Sequence, residues 1–178
     1  MATATGSVTG HVGALRALRA YARGDSLGSG DLTGFTGTAV GVSDQWTEET
    51  NGGGQPTIPG SGNATDGEVY LTGPGGGSDE IYVGIQTYRN AGTNAYNWDI
   101  RGATDFSDAA AWGSQTNISP STYFALAPSD SQVMTAYFFV NGRRIIAAFV
   151  VGSSATCCYM GFINQFSTTA QFPYPLGS

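Results

Sequence analysis

The stretch TAYFFVNGRRIIAAFVV, residues 135–151, contains two apolar runs joined by an Asn-Gly dipeptide. This dipeptide is the one most typical of a two-residue type I′ turn between antiparallel strands. The stretch therefore predicts a β-hairpin with strands at residues 135–140 and 143–151. A third apolar run, residues 156–163, follows after Gly-Ser-Ser and can pair back onto the hairpin. Together the three runs predict a three-stranded antiparallel meander.

Further strands are predicted upstream of this meander. The segment YNWDIR, residues 96–101, alternates apolar and polar side chains, as a strand with one buried face does. The alternation places Tyr96, Trp98 and Ile100 inward, and it places Asn97, Asp99 and Arg101 outward. Shorter patterns of the same kind predict strands at residues 38–47, 68–72, 80–88 and 122–126.

One helix is predicted near the N-terminus, at residues 9–22. Its apolar stripe consists of residues spaced by three or four positions, and its polar side carries three arginines. The stripe contains Val12, Leu15, Leu18 and Ala22, and the arginines are Arg16, Arg19 and Arg23.

These elements predict a mainly β fold, an antiparallel β-sandwich or a strongly curved sheet with the amphipathic helix packed on one side. The alternative is an α+β arrangement with a single sheet. The core is expected to contain Val12, Leu15, Leu18, Val69, Leu71, Ile81, Val83, Ile85, Trp98, Ile100, Phe138, Val140, Ile145, Ala147, Phe149, Tyr159 and Phe162.

The 178 residues fit one domain, residues 1–178, with a core large enough to fold without a metal or disulfides. Residues 51–66 (NGGGQPTIPGSGNATD) offer little to bury, so they are interpreted as a long flexible loop. Residues 171–178 contain two prolines between apolar residues, which indicates an extended C-terminal tail. The adjacent cysteines, Cys157 and Cys158, are interpreted as small buried side chains in a reducing compartment.

The charge composition points towards protein–protein contact. Only 11% of residues are charged, and all seven basic residues are arginine. Lysine is depleted, and arginine enriched, where protein surfaces are buried against each other. A GC-rich genome would also favour arginine over lysine, so both explanations stay open. The net charge of −6 disfavours nucleic-acid binding, and no segment has the length or apolarity of a signal peptide or a membrane span.

The sequence offers little for catalysis. Its single histidine, His11, is interpreted as a partly exposed helix residue, and the serine-hydrolase, nucleotide-binding and zinc motifs are absent. Asp25 and Asp31 lack the spacing of a calcium loop. Paired acids such as Glu48 and Glu49 are interpreted as surface or turn residues. No enzymatic activity, catalytic residue, cofactor or metal is therefore expected.

Two sets of residues are candidates for binding. Uncharged loop and tail residues are expected to contact neighbouring subunits; they are Gln55, Pro56, Ile58, Phe172, Pro173, Tyr174, Pro175 and Leu176. The aromatic rings of Trp46 and Trp112 are the candidates for stacking on a glycan, although core packing or a subunit contact is an alternative for both.

Several pieces of the chain, in order, resemble a family of structural proteins from tailed-bacteriophage virions. The pieces are YLTGPG at 70–75, DEIYVGI at 79–85, YNWDIRG at 96–102, YFFVNGRRII at 137–146, YMGF at 159–162 and QFPYPL at 171–176. The chain departs from the family at Val150-Val151, where a charged residue is usual, and in the longer loop at 51–66.

The resemblance implies a virion component from the neck, tail or tail tip, without catalysis and without a cofactor. Expected partners are copies of the chain in a symmetric oligomer and other virion proteins, with no nucleic acid and no membrane. The expected location is the virion, assembled in the cytoplasm of the host bacterium. Alternatives are a displayed glycan- or receptor-binding β module and a capsid decoration protein.

Overall fold

A computed structural model describes residues 1–49, 67–75, 80–90, 95–110 and 114–161. Within these ranges the chain forms one α-helix and ten strands. The order is β1 (Ala2–Thr9), α1 (Gly10–Ala22), β2 (Thr36–Gly37), β3 (Thr47–Glu48), β4 (Glu68–Thr72), β5 (Tyr82–Asn90), β6 (Ala95–Ala103), β7 (Thr122–Ala127), β8 (Val133–Asn141), β9 (Arg144–Val151) and β10 (Ser154–Gly161). The predicted mainly β fold is confirmed.

The strands form two antiparallel sheets of five strands each. Sheet A has the order β10-β9-β8-β1-β2, and sheet B has the order β3-β4-β5-β6-β7. One hydrophobic cluster contains inward side chains from both sheets and from α1. This arrangement is a β-sandwich with a shared core, and the single-sheet alternative is wrong.

The predicted meander is confirmed, because β8 pairs with β9 and β9 pairs with β10. The predicted type I′ turn is wrong. Asn141 pairs with Arg144, so the two loop residues are Gly142 and Arg143, and neither has the positive φ that a type I′ turn requires. The Asn141 side-chain oxygen instead accepts hydrogen bonds from the backbone N–H groups of both arginines.

Strand β1 was not predicted. It pairs along its whole length with β8, so residues 2–9 form an inner strand of sheet A, between β8 and β2. The strand predicted at residues 38–47 is largely wrong. A 3₁₀ turn at Val42–Asp44 occupies its centre, and strands of two residues lie on either side.

The described part of the predicted core is buried with two exceptions. Ile81 is only partly buried, and Tyr159 is 44% exposed because it points away from the second sheet. Phe162 lies outside the described residues. On strand β6, Asn97 and Asp99 are buried, whereas the alternation predicted solvent exposure. The Asp99 carboxylate accepts a hydrogen bond from Ser121 at 3.2 Å and pairs with Arg101 at 3.1 Å, and the Asn97 side chain donates a hydrogen bond to the Ala95 carbonyl oxygen.

The helix contacts strands of both sheets instead of lying on one side of one sheet. Ten of its thirteen residues are buried, and only a narrow stripe with Arg16 and Arg19 faces outward. Glu48 of β3 is nearly buried there, and its Oε2 accepts hydrogen bonds from Arg19 at 2.8 Å and Arg23 at 2.7 Å. These ion pairs connect the helix to the edge of sheet B.

His11 is buried, which corrects its interpretation as a partly exposed residue. Its side chain is fully inaccessible, and its ring lies 4.9 Å from the ring of Tyr96. Among the described residues neither ring nitrogen has a hydrogen-bond partner. Burial lowers the pKa of His11 below its ordinary value, and the nearby Asp130 carboxylate opposes that shift. The folded chain therefore favours the neutral imidazole.

This burial predicts a loss of stability in mild acid. The unfolded chain binds a proton at an ordinary histidine pKa of about 6.5, while the folded chain binds it only at lower pH. Stability from this site is therefore complete above about pH 6.5 and falls below it. We expect wild type to lose more stability than His11→Phe between neutral pH and pH 5, by at most about 2 kcal/mol, the limit that an unfolded-state pKa of about 6.5 sets at pH 5. Equal losses, measured by urea unfolding at each pH, would contradict this expectation.

Candidate functional site

The outer face of sheet A carries neighbouring apolar side chains that are exposed or half-buried. Along β8, Met134, Ala136 and Phe138 point into the core, so the residues between them point outward. We name this surface the apolar face. It consists of Thr3, Thr5 and Ser7 of β1, Val133, Thr135, Tyr137 and Phe139 of β8, Ile146, Ala148 and Val150 of β9, and Ala155, Cys157 and Tyr159 of β10.

Strand register places these side chains in rows across four strands. One row runs Thr3, Phe139, Ile146 and Tyr159, and the next runs Thr5, Tyr137, Ala148 and Cys157. Neighbours in such a row have Cβ atoms about 4.5–5.5 Å apart, so each row presents a contiguous surface. Aromatic and aliphatic side chains therefore form one patch, with the small polar residues of β1 at its border.

The large side chains of this patch remain accessible. Val133 is 60% exposed, Tyr159 is 44% exposed and Tyr137 is 39% exposed. Phe139, Ile146 and Val150 are half-buried by their neighbours. Soluble monomers rarely expose a contiguous apolar area of this kind, and where one occurs it commonly marks an interaction site.

The outer face of sheet B shows the contrast. Two tyrosines on this face, Tyr70 of β4 and Tyr82 of β5, pack against Phe106 of the loop after β6. The distances between ring centroids are 5.6 and 5.9 Å. Beside them Arg101 forms an ion pair with Asp99 at 3.1 Å. Tyr70 and Tyr82 of sheet B are thus covered by another part of the chain, whereas Tyr137 and Tyr159 of sheet A remain accessible.

The apolar face carries no carboxylate and no arginine side chain. Arg144 lies in the next row, between Asn141 of β8 and Gly161 of β10. The whole chain has a net charge of −6, so the face is a neutral area on an acidic molecule. Burial of this face against another protein would not desolvate a charge, which is the costliest part of forming an interface.

Strand β10 adjoins the face and is the outermost strand of sheet A in the described structure. Its eight residues, SATCCYMG, contain no charge and no proline, the features that usually protect an edge strand from pairing with other chains. The two cysteines are free thiols. Cys157 is exposed on the apolar face, contrary to its predicted burial, and Cys158 points inward and is partly buried.

A cleft lies behind β10, where the two sheets separate. Its volume is about 420 Å³, and its walls include Cys158 and Met160 of β10 and Val83, Ile100 and Phe124 of sheet B. Burial raises the pKa of the Cys158 thiol to about 12, so this thiol is fully protonated near neutral pH. The described walls of the cleft are mostly apolar and contain no carboxylate and no histidine side chain.

The structure changes the interpretation of the predicted binding residues. Trp46 is 2% exposed and its indole N–H donates a hydrogen bond to the Asn141 carbonyl oxygen at 2.9 Å, so its ring cannot stack on a glycan. The interpretation of Trp46 as a glycan contact is therefore wrong, because the ring belongs to the core. The other candidates lie outside the described residues: Trp112, Gln55, Pro56, Ile58, Phe172, Pro173, Tyr174, Pro175 and Leu176.

The acids considered at the sequence level pair with other side chains. Asp31 forms an ion pair with Arg16, Asp25 pairs with Arg23 at 3.4 Å, and Glu49 accepts a hydrogen bond from Thr72. Within the ranges that the structure describes, no three histidine, cysteine, aspartate or glutamate side chains are grouped closely enough to hold a metal ion. No helix in those ranges has the length and apolarity needed to cross a membrane.

The sequence analysis missed the apolar face, although the sequence contains a signal for it. A strand with one solvated face alternates apolar and polar residues, whereas a strand buried on both faces is apolar nearly throughout. Strand β9, RIIAAFVV, has the second pattern, apolar nearly throughout.

No family model matches the chain, and no curated protein matches it significantly.

Proposed function

We propose that the chain is a non-enzymatic structural subunit of a tailed-phage virion, and that its copies assemble through the apolar face. One observation supports the proposed assembly. Uncharged side chains lie exposed or half-buried side by side in the rows that contain Tyr137, Ile146 and Tyr159. Exposure of these side chains to water is unfavourable by about 25 cal/mol for each Å² of apolar surface. Contact with another protein surface removes that cost.

A second copy of the chain is the partner that the charges favour. The molecule is acidic, so two copies repel each other through most of their surfaces. The apolar face contains no carboxylate, and two such faces can meet without bringing like charges together. An interface built from the same patch on both copies also gives the symmetric oligomer that is common among soluble assemblies.

The placement in a virion rests on the resemblance of the ordered segments from residue 70 to residue 176 to phage structural proteins. A β-sandwich without an evident catalytic group is compatible with a virion subunit that acts by binding to its neighbours. The proposal includes contacts with other virion proteins and incorporation into the particle in the host cytoplasm. No step in it requires a cofactor.

A charge placed on the apolar face is expected to prevent self-assembly. We expect wild type to show a multiple of the chain mass by light scattering across a concentration series, and Tyr137→Glu to show the mass of one chain. Two glutamates facing each other in a desolvated interface would repel and lose their hydration.

The matched control is Val42→Glu, which adds the same charge to an exposed apolar residue outside the apolar face. This variant should keep the wild-type mass, and circular dichroism should show that both variants fold. A wild-type mass of one chain at every concentration, or an oligomer that is unchanged by Tyr137→Glu, would contradict assembly through this face.

A further inference from the structure

The loop that leads into β8, residues 128–132, holds the junction between β1 and α1, and we name it the covering loop. The Gly10 N–H donates a hydrogen bond to the Gln132 carbonyl oxygen at 2.8 Å. The two backbones are so close that a Cβ atom at Gly10 would lie 2.0 Å from the Asp130 carbonyl oxygen. Every residue of the covering loop is exposed or partly buried. The loop is therefore a thin layer between the start of the helix and solvent.

His11 places a fully buried imidazole at this junction. Within the described ranges neither of its nitrogens meets a hydrogen-bond partner. The Tyr96 ring of β6 packs against the imidazole, and the guanidinium carbon of Arg89 on β5 lies 5.5 Å from the centroid of that tyrosine ring. Asp130 of the covering loop is the carboxylate that acts on His11. The arginines of α1 face outward, and β1 and β8 contain no charged residue.

A proton on His11 is unfavourable while the junction is closed. A buried cation loses its hydration, and here it gains no hydrogen-bond acceptor in return. Movement of the covering loop would give the imidazolium access to water and to Asp130. That movement breaks the hydrogen bond between Gly10 and Gln132, whereas separation of β1 from β8 would disrupt eight residue pairs. The covering loop is thus the part of the structure that can move with the smaller loss of contacts.

We infer that the junction between β1 and α1 is an acid-sensitive switch, in which a proton on His11 displaces the covering loop while the strands of both sheets stay paired. The displaced state hydrates the imidazolium and keeps it beside the Asp130 carboxylate. This local opening is distinct from the loss of global stability in acid, because only the covering loop and the start of α1 take part. The inference does not rest on the proposed function, since neither His11 nor the covering loop belongs to the apolar face.

Hydrogen exchange of single amides, measured by NMR on the full-length chain at low concentrations of urea, tests the switch. The Gly10 amide reports on the covering loop, because its hydrogen bond goes to Gln132. The amides of β8 and β9 report on the paired sheet. Exchange through a local opening hardly changes with urea, whereas exchange through global unfolding increases steeply with it. We expect the first behaviour for Gly10 and the second for the most protected amides of β8 and β9.

Acid is expected to promote the local opening. Between pH 7 and pH 5 the protection of the Gly10 amide, relative to an unstructured chain at the same pH, should fall about tenfold. An open-state pKa of about 6.5 sets a limit of about 25-fold, and Asp130 reduces the effect because it also attracts a proton to His11 in the closed state. His11→Phe should abolish the fall. Asp130→Asn should retain it, because the proton binds to the imidazole.

Three results would overturn the inference. A Gly10 amide that exchanges with the same urea dependence as β8 and β9 would show that acid acts only through global unfolding. Protection of Gly10 that does not change between pH 7 and pH 5 would show that the junction does not respond to acid. A fall that persists in His11→Phe, or that disappears in Asp130→Asn, would place the proton elsewhere. The first two measurements use wild type, so they decide the question even where His11→Phe does not fold.

Discussion

Replacing Trp98 with alanine is expected to lower the free energy of unfolding by about 3–5 kcal/mol. Trp98 is fully buried on β6 and contacts three different elements. Its ring packs edge-on against Phe149 of sheet A, with ring centroids 5.2 Å apart. It lies tilted against Phe124 of β7, with centroids 6.1 Å apart. Its indole N–H donates a hydrogen bond to the His11 carbonyl oxygen at 2.9 Å. The substitution would leave a cavity where both sheets and the helix meet.

The comparison variant is Trp98→Phe, which keeps much of the ring volume and removes the N–H donor. Its expected cost is about 1–3 kcal/mol, because the His11 carbonyl loses its buried partner and the smaller ring leaves a gap. Urea unfolding of wild type and both variants measures the difference. A loss below about 1 kcal/mol for Trp98→Ala would mean that the sandwich does not close around this side chain.

Replacing Gly10 with alanine is the second change with a large expected effect. Gly10 joins β1 to α1 with φ at +65°, a conformation that costs other residues about 1–2 kcal/mol. A Cβ atom there would lie 2.0 Å from the Asp130 carbonyl oxygen, which is backbone and cannot simply rotate away. The Gly10 N–H also donates a hydrogen bond to the Gln132 carbonyl oxygen at 2.8 Å. We expect a loss of about 3 kcal/mol or more.

Gly13→Ala is the matched control, since it adds the same methyl group three residues later in the same helix. A Cβ atom at Gly13 meets nothing within 4 Å, and its backbone is helical. Alanine in a helix interior is more stable than glycine by about 0.5–1 kcal/mol, so this variant should be more stable than wild type. Chemical unfolding should therefore give opposite signs for the two variants, and equal effects would contradict the tight connection at Gly10.

The elements with strong local patterns were predictable from sequence. The helix, the strand containing Trp98 and the three-strand meander follow from the spacing of large apolar residues over short distances. Strand β1 has only alanine, glycine and valine on its buried side, so its pattern is weak. Its partner β8 lies more than 120 residues away, and only the paired structure shows why such small residues fit there.

The burial of His11 and Trp46 could not be read from their own segments. Helix α1 has an apparent polar side in sequence, but contacts with two sheets bury most of its circumference. Trp46 lies in a polar stretch, and its burial depends on the distant Asn141 carbonyl that accepts its hydrogen bond. Both outcomes follow from long-range packing, which a local pattern does not encode.

The apolar face differs from these two residues, because its sequence pattern is visible locally. Whether that pattern leads to a buried or an exposed face depends on which faces of sheet A other elements cover. The continuous apolar sequence of β9 indicates burial on both faces. In the described structure only one face of β9 is covered, the face that packs into the core. The second face is therefore the surface through which we propose that copies of the chain assemble.

The most direct test of this account is the labelling of Cys157, in a Cys158→Ala background, across the concentration range in which light scattering follows the mass. Cys157 lies on the apolar face, in the row that also contains Tyr137 and Ala148. We predict that its labelling by maleimide slows as the mass rises, and that Tyr137→Glu removes this protection. A mass that rises while Cys157 stays equally reactive would show that copies meet through another surface, which contradicts the account.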